Sequence, residues 1–291
     1  MSASTPASSP PPDAAGRRSR RRVNPNLLVG ASLVLLIVGM AIVSFFWTPH
    51  DPTLVNAATR LQKPSGDYWF GTDKFGRDVF SQVMVGARTT LFVGFVAVGV
   101  ATAIGVPLGV LGGMVSRGPG EVLMRGNDLL LAFPALLLAI MFAAVYGAST
   151  LVAMIAIGIA TIPSFARLIR SGTLQVMGTE YVLAARAAGR SPFAIGARHV
   201  LPNVSSLVIV QASVSFAIAV LAEAALSFLG FGTPPPTPSW GRMLQESQEM
   251  LWSAPRLAVF PGVAIAVAVL GFNLLGDGLR DRFDPKLDDR R

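Results

Sequence analysis

Few side chains in this 291-residue sequence could do chemistry, and those few are scattered. There is no cysteine, which removes thiol nucleophiles, disulfides and cysteine-ligated metals. The two histidines, His50 and His199, stand far apart, so a histidine-based metal or catalytic cluster is not expected. The three lysines follow Gln62, Asp73 and Pro285, so no Gly-x-x-x-x-Gly-Lys-[Ser/Thr] loop is present to cradle a nucleotide phosphate. The chain is therefore expected to carry no cofactor and to catalyse nothing itself. One acid, Glu223, lies deep in a long apolar stretch, where an ionisable group is a functional candidate by default. Two roles remain open for it. It could face a passage between helices and meet a cationic amine or an arginine, or it could make a structural hydrogen bond between spans.

The elements that would hold these residues follow from hydropathy. Apolar residues make up 52% of the chain and charged residues 14%, with a mean hydropathy of +0.56, against about 25% charged residues in a soluble domain. The charges are absent from some windows and crowded between them. A lipid bilayer demands that pattern, because a charge at its centre costs about 2.5–3.5 kcal/mol. Six windows pass as membrane spans: 26–47, 89–113, 129–147, 149–166, 204–230 and 257–276. The first, at about 1.5 Å per residue, is about 33 Å long, and it ends in Phe45, Phe46 and Trp47. It is longer than the apolar core of a cleaved or twin-arginine export signal and reads as a retained span. The third and fourth windows are joined so closely, from Tyr146 to Thr150, that a tight helical hairpin is expected. Pro107, Pro134, Pro163 and Pro261 fall inside spans and read as sites of helix bending.

The reading is an all-α, polytopic protein of six transmembrane helices. A basic, disordered tail occupies 1–25 and an extracytoplasmic segment 48–88. The remaining five spans, 89–278, form a core with a cytoplasmic loop at 167–203, and a short cytoplasmic tail covers 279–291. With the amino terminus inside, seventeen of the 24 Lys and Arg residues fall on the inner side and seven on the outer. That asymmetry supports a bacterial cytoplasmic membrane with both termini in the cytoplasm. The net charge of +8 is accounted for by the same flanking arginines, so nucleic acid is not an expected partner.

The loop 167–203 is too patterned for a linker. Thr179 is placed to cap a helix opening at Glu180, and Glu180–Ala188 is strongly helical in composition. Gly189 stops it. Ser191 and Pro192 restart a helix, with serine at the cap and proline in the first turn, to run to about Val200. Leu201-Pro202-Asn203 should close the loop before the fifth span. The result is a helix–glycine–helix elbow, narrowed by Ala184, Ala185, Ala187 and Ala188. The elbow could dock a partner closely, or it could pack on its own bundle.

This stretch resembles the cytoplasmic Glu-Ala-Ala loop of bacterial ABC importer permeases. Ala184-Ala185, Gly189 and Leu201-Pro202 fall at that pattern's spacing, while Leu183 stands for its Glu and His199 for its Ile. Further segments are similar to the second permease subunit of dipeptide, oligopeptide and nickel importers. They are Phe70–Ser81 with Gly86-Ala87-Arg88, Glu223–Gly230 with Pro238-Ser239-Trp240-Gly241, and Asn273–Asp281 with Asp284-Pro285. The resemblance implies a type I ABC importer permease fold, with half of a translocation pathway formed by this chain. It implies docking on an ATPase through Glu180, Ala184, Ala185, Gly189, Arg190, Ser191 and Pro192, with ATP and Mg held by that partner. It also implies a second homologous permease and an extracytoplasmic solute-binding protein, for which the outer segments with Tyr68, Trp69, Trp240 and Trp252 offer a surface. Peptide is the expected cargo, with nickel chelate or glutathione as alternatives. A secondary transporter is the other reading, and it would be expected to keep several intramembrane ionisable groups. An intramembrane hydrolase would need a base within the bilayer, and both histidines lie outside the spans.

Overall fold

A computed structural model describes residues 24–115 and 117–283. The chain begins with α1 (Pro25–Phe46) and an irregular outer lobe that includes one 3-10 turn (Ala57–Thr59). Then follow α2 (Val79–Met114), α3 (Arg117–Leu131), α4 (Ala135–Tyr146) and α5 (Thr150–Met177). The elbow comprises α6 (Glu180–Ala187), α7 (Pro192–Ile195) and a π turn (Gly196–Val200), leading directly into α8 (Leu201–Phe228). Helix α9 (Trp240–Ser247) and α10 (Arg256–Phe283) complete the described chain. No strand occurs among the described residues. The basic tail assigned to 1–25 lies, apart from Asn24 and Pro25, outside them, as does the part of the carboxyl tail beyond Phe283.

Five helices are long and apolar enough to cross a membrane; α3 and α4 pass the same test only as a pair, bent by 77° at a short break. The window 129–147, read as one span, is divided here between two helices. Helix α4 has only 12 residues, about 18 Å at 1.5 Å per residue, too short to cross alone. The break falls at Ala132–Phe133–Pro134, where the proline ring pushes the preceding residue out of the α region. Pro134 is thus at the mouth of α4 rather than inside a span, whereas Pro107, Pro163 and Pro261 do lie within helices.

The second helix starts ten residues before the apolar window that marked its span. Asp78 is the reason. Its carboxylate accepts from the backbone N–H of Ser81 at 3.0 Å and its hydroxyl at 2.5 Å, which satisfies the exposed amides of the first turn. The segment expected as 48–88 therefore ends at Asp78, and α2 projects past the apolar zone on that side. Helix α5 runs to Met177, eleven residues past the window 149–166, so the first part of the loop expected at 167–203 is helical. The hairpin at Tyr146–Thr150 is present, with Ser149 capping Val152, and α10 continues through residues 279–283, placed in the tail from sequence.

The core of the bundle is a seam between α2 and α5. Gly105, Gly109 and Gly113 recur every four residues on one side of α2. A Cβ at any of them would lie 2.6 Å from an atom of α5: Phe165 Cβ, the Ala166 carbonyl and Thr173 Cγ2 respectively. In lipid, where burial from water does not drive helices together, small residues in this spacing let backbones approach closely. A similar approach joins α1 to α10, where Gly30 meets Leu274 and Leu275 and Gly278 meets Leu27. Below the seam one apolar cluster continues out of the bundle. Phe165 and Ile169 of α5 pack with Val182, Ile195 and Val200 of the elbow and Val204 of α8.

Candidate functional site: the elbow after the fourth span

The elbow stands on a fixed footing. Val182, Ile195 and Val200 are each at most 2% exposed and belong to the cluster with Phe165 and Ile169. The rest of α6 is exposed, apart from the half-buried Ala185. Its N-terminus begins at Glu180 as read from sequence, but Thr179 does not cap it. The threonine hydroxyl donates instead to the Val176 carbonyl at 2.6 Å, satisfying the end of α5. The α6 C-terminus closes by two bonds, Arg190 N–H to the Ala185 carbonyl at 3.1 Å and Gly189 N–H to Arg186 at 2.9 Å. That pair is a Schellman motif, which requires a left-handed residue in the position Gly189 occupies. Its φ is +78°, and a Cβ there would meet nothing within 4 Å. Backbone conformation alone selects glycine.

Ser191 caps the second limb, accepting from Ala194 N–H at 3.3 Å, with Pro192 in the first turn. The limb does not end at Leu201-Pro202-Asn203, however, and no loop separates it from the fifth span. Pro202 has no N–H for a partner one turn back, and its ring would clash with the carbonyl four residues before it. The helix answers by widening. Leu201 N–H bonds to the Gly196 carbonyl, five residues back, and the Asn203 side-chain amide donates to His199 O at 2.6 Å. The rod then runs unbroken from Pro192 to Phe228, 37 residues.

Of the residues singled out from sequence, Glu180, Ala184, Gly189, Arg190, Ser191 and Pro192 lie exposed on this one projection, with Ala185 half-buried beside them. Sequence reasoning passed over the large apolar side chains among them. Phe193 is 86% exposed, Leu183 51% and Tyr181 46%. The cue for Phe193 was its place directly after a capped proline, where the first turn points away from the bundle. His199, which stands where the resemblance pattern has isoleucine, is half-buried with its ring 5.8 Å from that of Tyr181.

Glu223 sits far from the elbow, toward the opposite end of α8, and is 1% exposed. Its Oε1 accepts from the Ser227 hydroxyl at 2.7 Å and from Thr233 Oγ1 at 3.4 Å. Both partners belong to α8 or the turn that follows it, so these bonds tie α8 to its own exit turn rather than to another span. Thr233 in turn reaches Thr150 at the start of α5. Oε2 has no protein partner.

The outer lobe is locked to α9. Arg77 bonds to Asp73 at 2.6 Å and to Glu246, and Arg242 bonds to the same Glu246 at 3.0 Å. Burial works against the Arg77 charge, but the flanking carboxylates of Asp73 and Glu246 outweigh it and hold the guanidinium above its usual value. Trp240 corrects an expectation. It is fully buried, stacked over Gly86 of α2, and donates to the Val83 carbonyl at 2.9 Å. It pins α9 to α2 and offers no docking surface. Trp69 and Trp252 do remain exposed.

Comparison with known proteins agrees with this layout. Residues 105–289 match the family described as binding-protein-dependent transport system inner membrane component. The chain is 42% identical over 287 residues to a dipeptide transport system permease protein of Alkalihalophilus pseudofirmus, covering 96% of this chain and 94% of that one. It is 40% identical to a glutathione transport system permease protein of Pectobacterium atrosepticum, covering 92% and 90%. A solved structure of the MetNI methionine ABC transporter, in an inward-facing conformation, aligns with a TM-score of 0.59 and 19% identity. It covers 70% of this chain and 97% of that one, which establishes the shared fold. A multi-pass bundle whose elbow hangs between two long apolar rods, matched along nearly its full length, places this chain in the family of inner-membrane permease subunits of binding-protein-dependent ABC importers.

Proposed function

We propose that this chain forms half of the translocation pathway of an ATP-driven importer of peptides, and that the elbow seats in an ATPase subunit that it does not itself contain. The observation that carries this reading is the elbow. A cap-and-glycine corner presents Tyr181, Leu183 and Phe193 outward while Val182, Ile195 and Val200 root it in the bundle. Exposed aromatic and aliphatic side chains on a rigid projection are what a partner's groove can hold. ATP and Mg belong to that partner, and a second permease and a solute-binding protein on the outer face complete the assembly. Both termini then face the cytoplasm, on the elbow's side. The cargo class follows the relatives, which are named as dipeptide and glutathione transport permeases.

The test is uptake and ATP hydrolysis measured together in the reconstituted importer. Phe193→Ala and Tyr181→Ala are expected to lower uptake at least several-fold, and to break the dependence of hydrolysis on cargo, with assembly of the bundle unchanged. Hot-spot truncations of this kind cost about 2 kcal/mol or more. Uptake at the wild-type rate in both variants would overturn the docking reading.

A further inference from the structure

A second feature of the inner side has no part in the elbow. Between α3 and α5 lies a cleft of about 230 Å³, lined by Met124 and Asp128 from α3 and by Arg167, Arg170, Ser171 and Leu174 from α5. Two guanidiniums face one carboxylate. Asp128 answers only one of them, since Nε and Nη2 of Arg167 both donate to the single oxygen Oδ1, at 3.0 and 2.7 Å. Arg170 gives its Nε to the Gly112 carbonyl at 3.2 Å. Among the described residues its terminal Nη groups have no acceptor, and Asp128 Oδ2 has no donor. The cleft therefore carries an excess positive charge on a planar fork suited to a phosphate.

The position of the cleft selects the source of that phosphate. Arg167 is seventeen residues along α5 from Thr150, about 26 Å at 1.5 Å per residue, close to the roughly 30 Å thickness of the hydrocarbon layer. Its guanidinium thus stands at the depth of the headgroups. Helix α3 supplies the other wall of the cleft. It turns 77° from α4, and its buried positions are Gly120, Met124 and Asn127, while Val122 is 70% exposed and Leu129 69%. Apolar side chains on α3 thus face outward beside charged ones, next to the cleft. Leu174, 52% exposed, continues the apolar wall beside the arginines. Basic pockets between helices at this depth hold anionic headgroups.

We infer that the α3–α5 cleft binds the phosphodiester of an anionic phospholipid, with Arg170 as the principal ligand, Arg167 as the second, and acyl chains lying along Val122, Leu129 and Leu174. Asp128 opposes this binding, since it neutralises Arg167 and repels a phosphate. The inference does not depend on the cargo.

The test uses the intact importer in nanodiscs of phosphatidylcholine containing a minor fraction of phosphatidylglycerol, with lipid retained after detergent exchange counted by native mass spectrometry. Phosphatidylglycerol is expected to be retained in preference to phosphatidylcholine. Arg170→Gln should weaken that retention about fivefold, the effect of roughly 1 kcal/mol per basic residue at a membrane surface. Asp128→Asn should strengthen it by a similar factor, a gain that partial unfolding cannot mimic. Inorganic phosphate at millimolar concentration should not compete, because it lacks the acyl chains. Equal retention of the two lipids, or retention unchanged by both variants, overturns the proposal. So does displacement of the lipid by inorganic phosphate or by a dipeptide, which would make the cleft a site for a soluble anion.

Discussion

At Glu223 a single carboxyl group closes a small polar circuit inside a span. One oxygen gathers the hydroxyls of Ser227 and Thr233, and Thr233 passes the connection to Thr150 of α5. The bonds hold the exit turn of α8 in place, with Gly232 pressed on Ser227. Removing one partner of a buried bond leaves the others unsatisfied, at about 1–3 kcal/mol. Glu223→Leu should therefore lower the thermal stability of the purified importer by that order, because two hydroxyls lose their acceptor. Glu223→Gln keeps an acceptor oxygen and should melt close to wild type. If Glu223→Gln instead unfolds like the leucine variant, the hydroxyl circuit is not what the residue supplies. The sequence marked Glu223 as an exception in an apolar run but could not choose between a pathway role and a tie. That choice depends on Thr233, ten residues on, whose return toward α8 is a matter of turn geometry rather than pattern. Trp240 was misjudged for the same reason. An aromatic residue in an outer segment reads as an interface anchor, and only the packing over Gly86 reveals it as a pin.

Among the elements, the α2–α5 seam does most to place the elbow. Three glycines four residues apart allow the contact, and at Gly109 the opposing atoms are backbone: the Ala166 carbonyl at 2.6 Å and Arg170 N at 3.0 Å from a built Cβ. Backbone cannot yield as a flexible side chain can. Overpacking costs about 1–3 kcal/mol, so Gly109→Ala should lower the melting temperature and reduce uptake together. Gly99, whose added Cβ would meet nothing, is the control, and Gly99→Ala should leave both unchanged. Equal effects at the two positions would remove the seam from the account. The long apolar elements were legible because bilayer thickness writes itself into run length. Their interruptions were less so. The bend before α4 and the widened turn before α8 both arise from proline, yet one proline breaks its helix and the other is absorbed. Before α8 the helix widens into a π turn around the proline, with Leu201 N–H reaching Gly196 O, whereas before α4 it breaks, and hydropathy carries no record of that.

For the whole molecule the central question is which face is which. The proposed function requires the elbow side to face the cytoplasm, a reading that the excess of Lys and Arg on that side supports. Because the chain has no cysteine, the assignment can be checked on an otherwise unlabelled background. Ala188→Cys on the elbow and Trp252→Cys on the outer turn are both exposed positions. In intact cells stripped of any outer barrier, a membrane-impermeant maleimide is expected to label the second and to reach the first only after the membrane is opened. The reverse pattern would invert the bundle and remove the elbow from reach of a cytoplasmic ATPase.

The run from Pro192 to Phe228 has one more implication. Thirty-seven residues without a break make a shaft about 55 Å long, with Phe193 near one tip and Glu223 near the other. Such a shaft cannot shorten, so a disturbance at Phe193 has to reappear as displacement at the far tip. A rocking of only about 5° around mid-depth would swing each tip by about 2–3 Å, given that length. That is comparable to the spacing of a single hydrogen bond, so a small movement at the elbow is already large enough to make or break the hydroxyl contacts around Glu223.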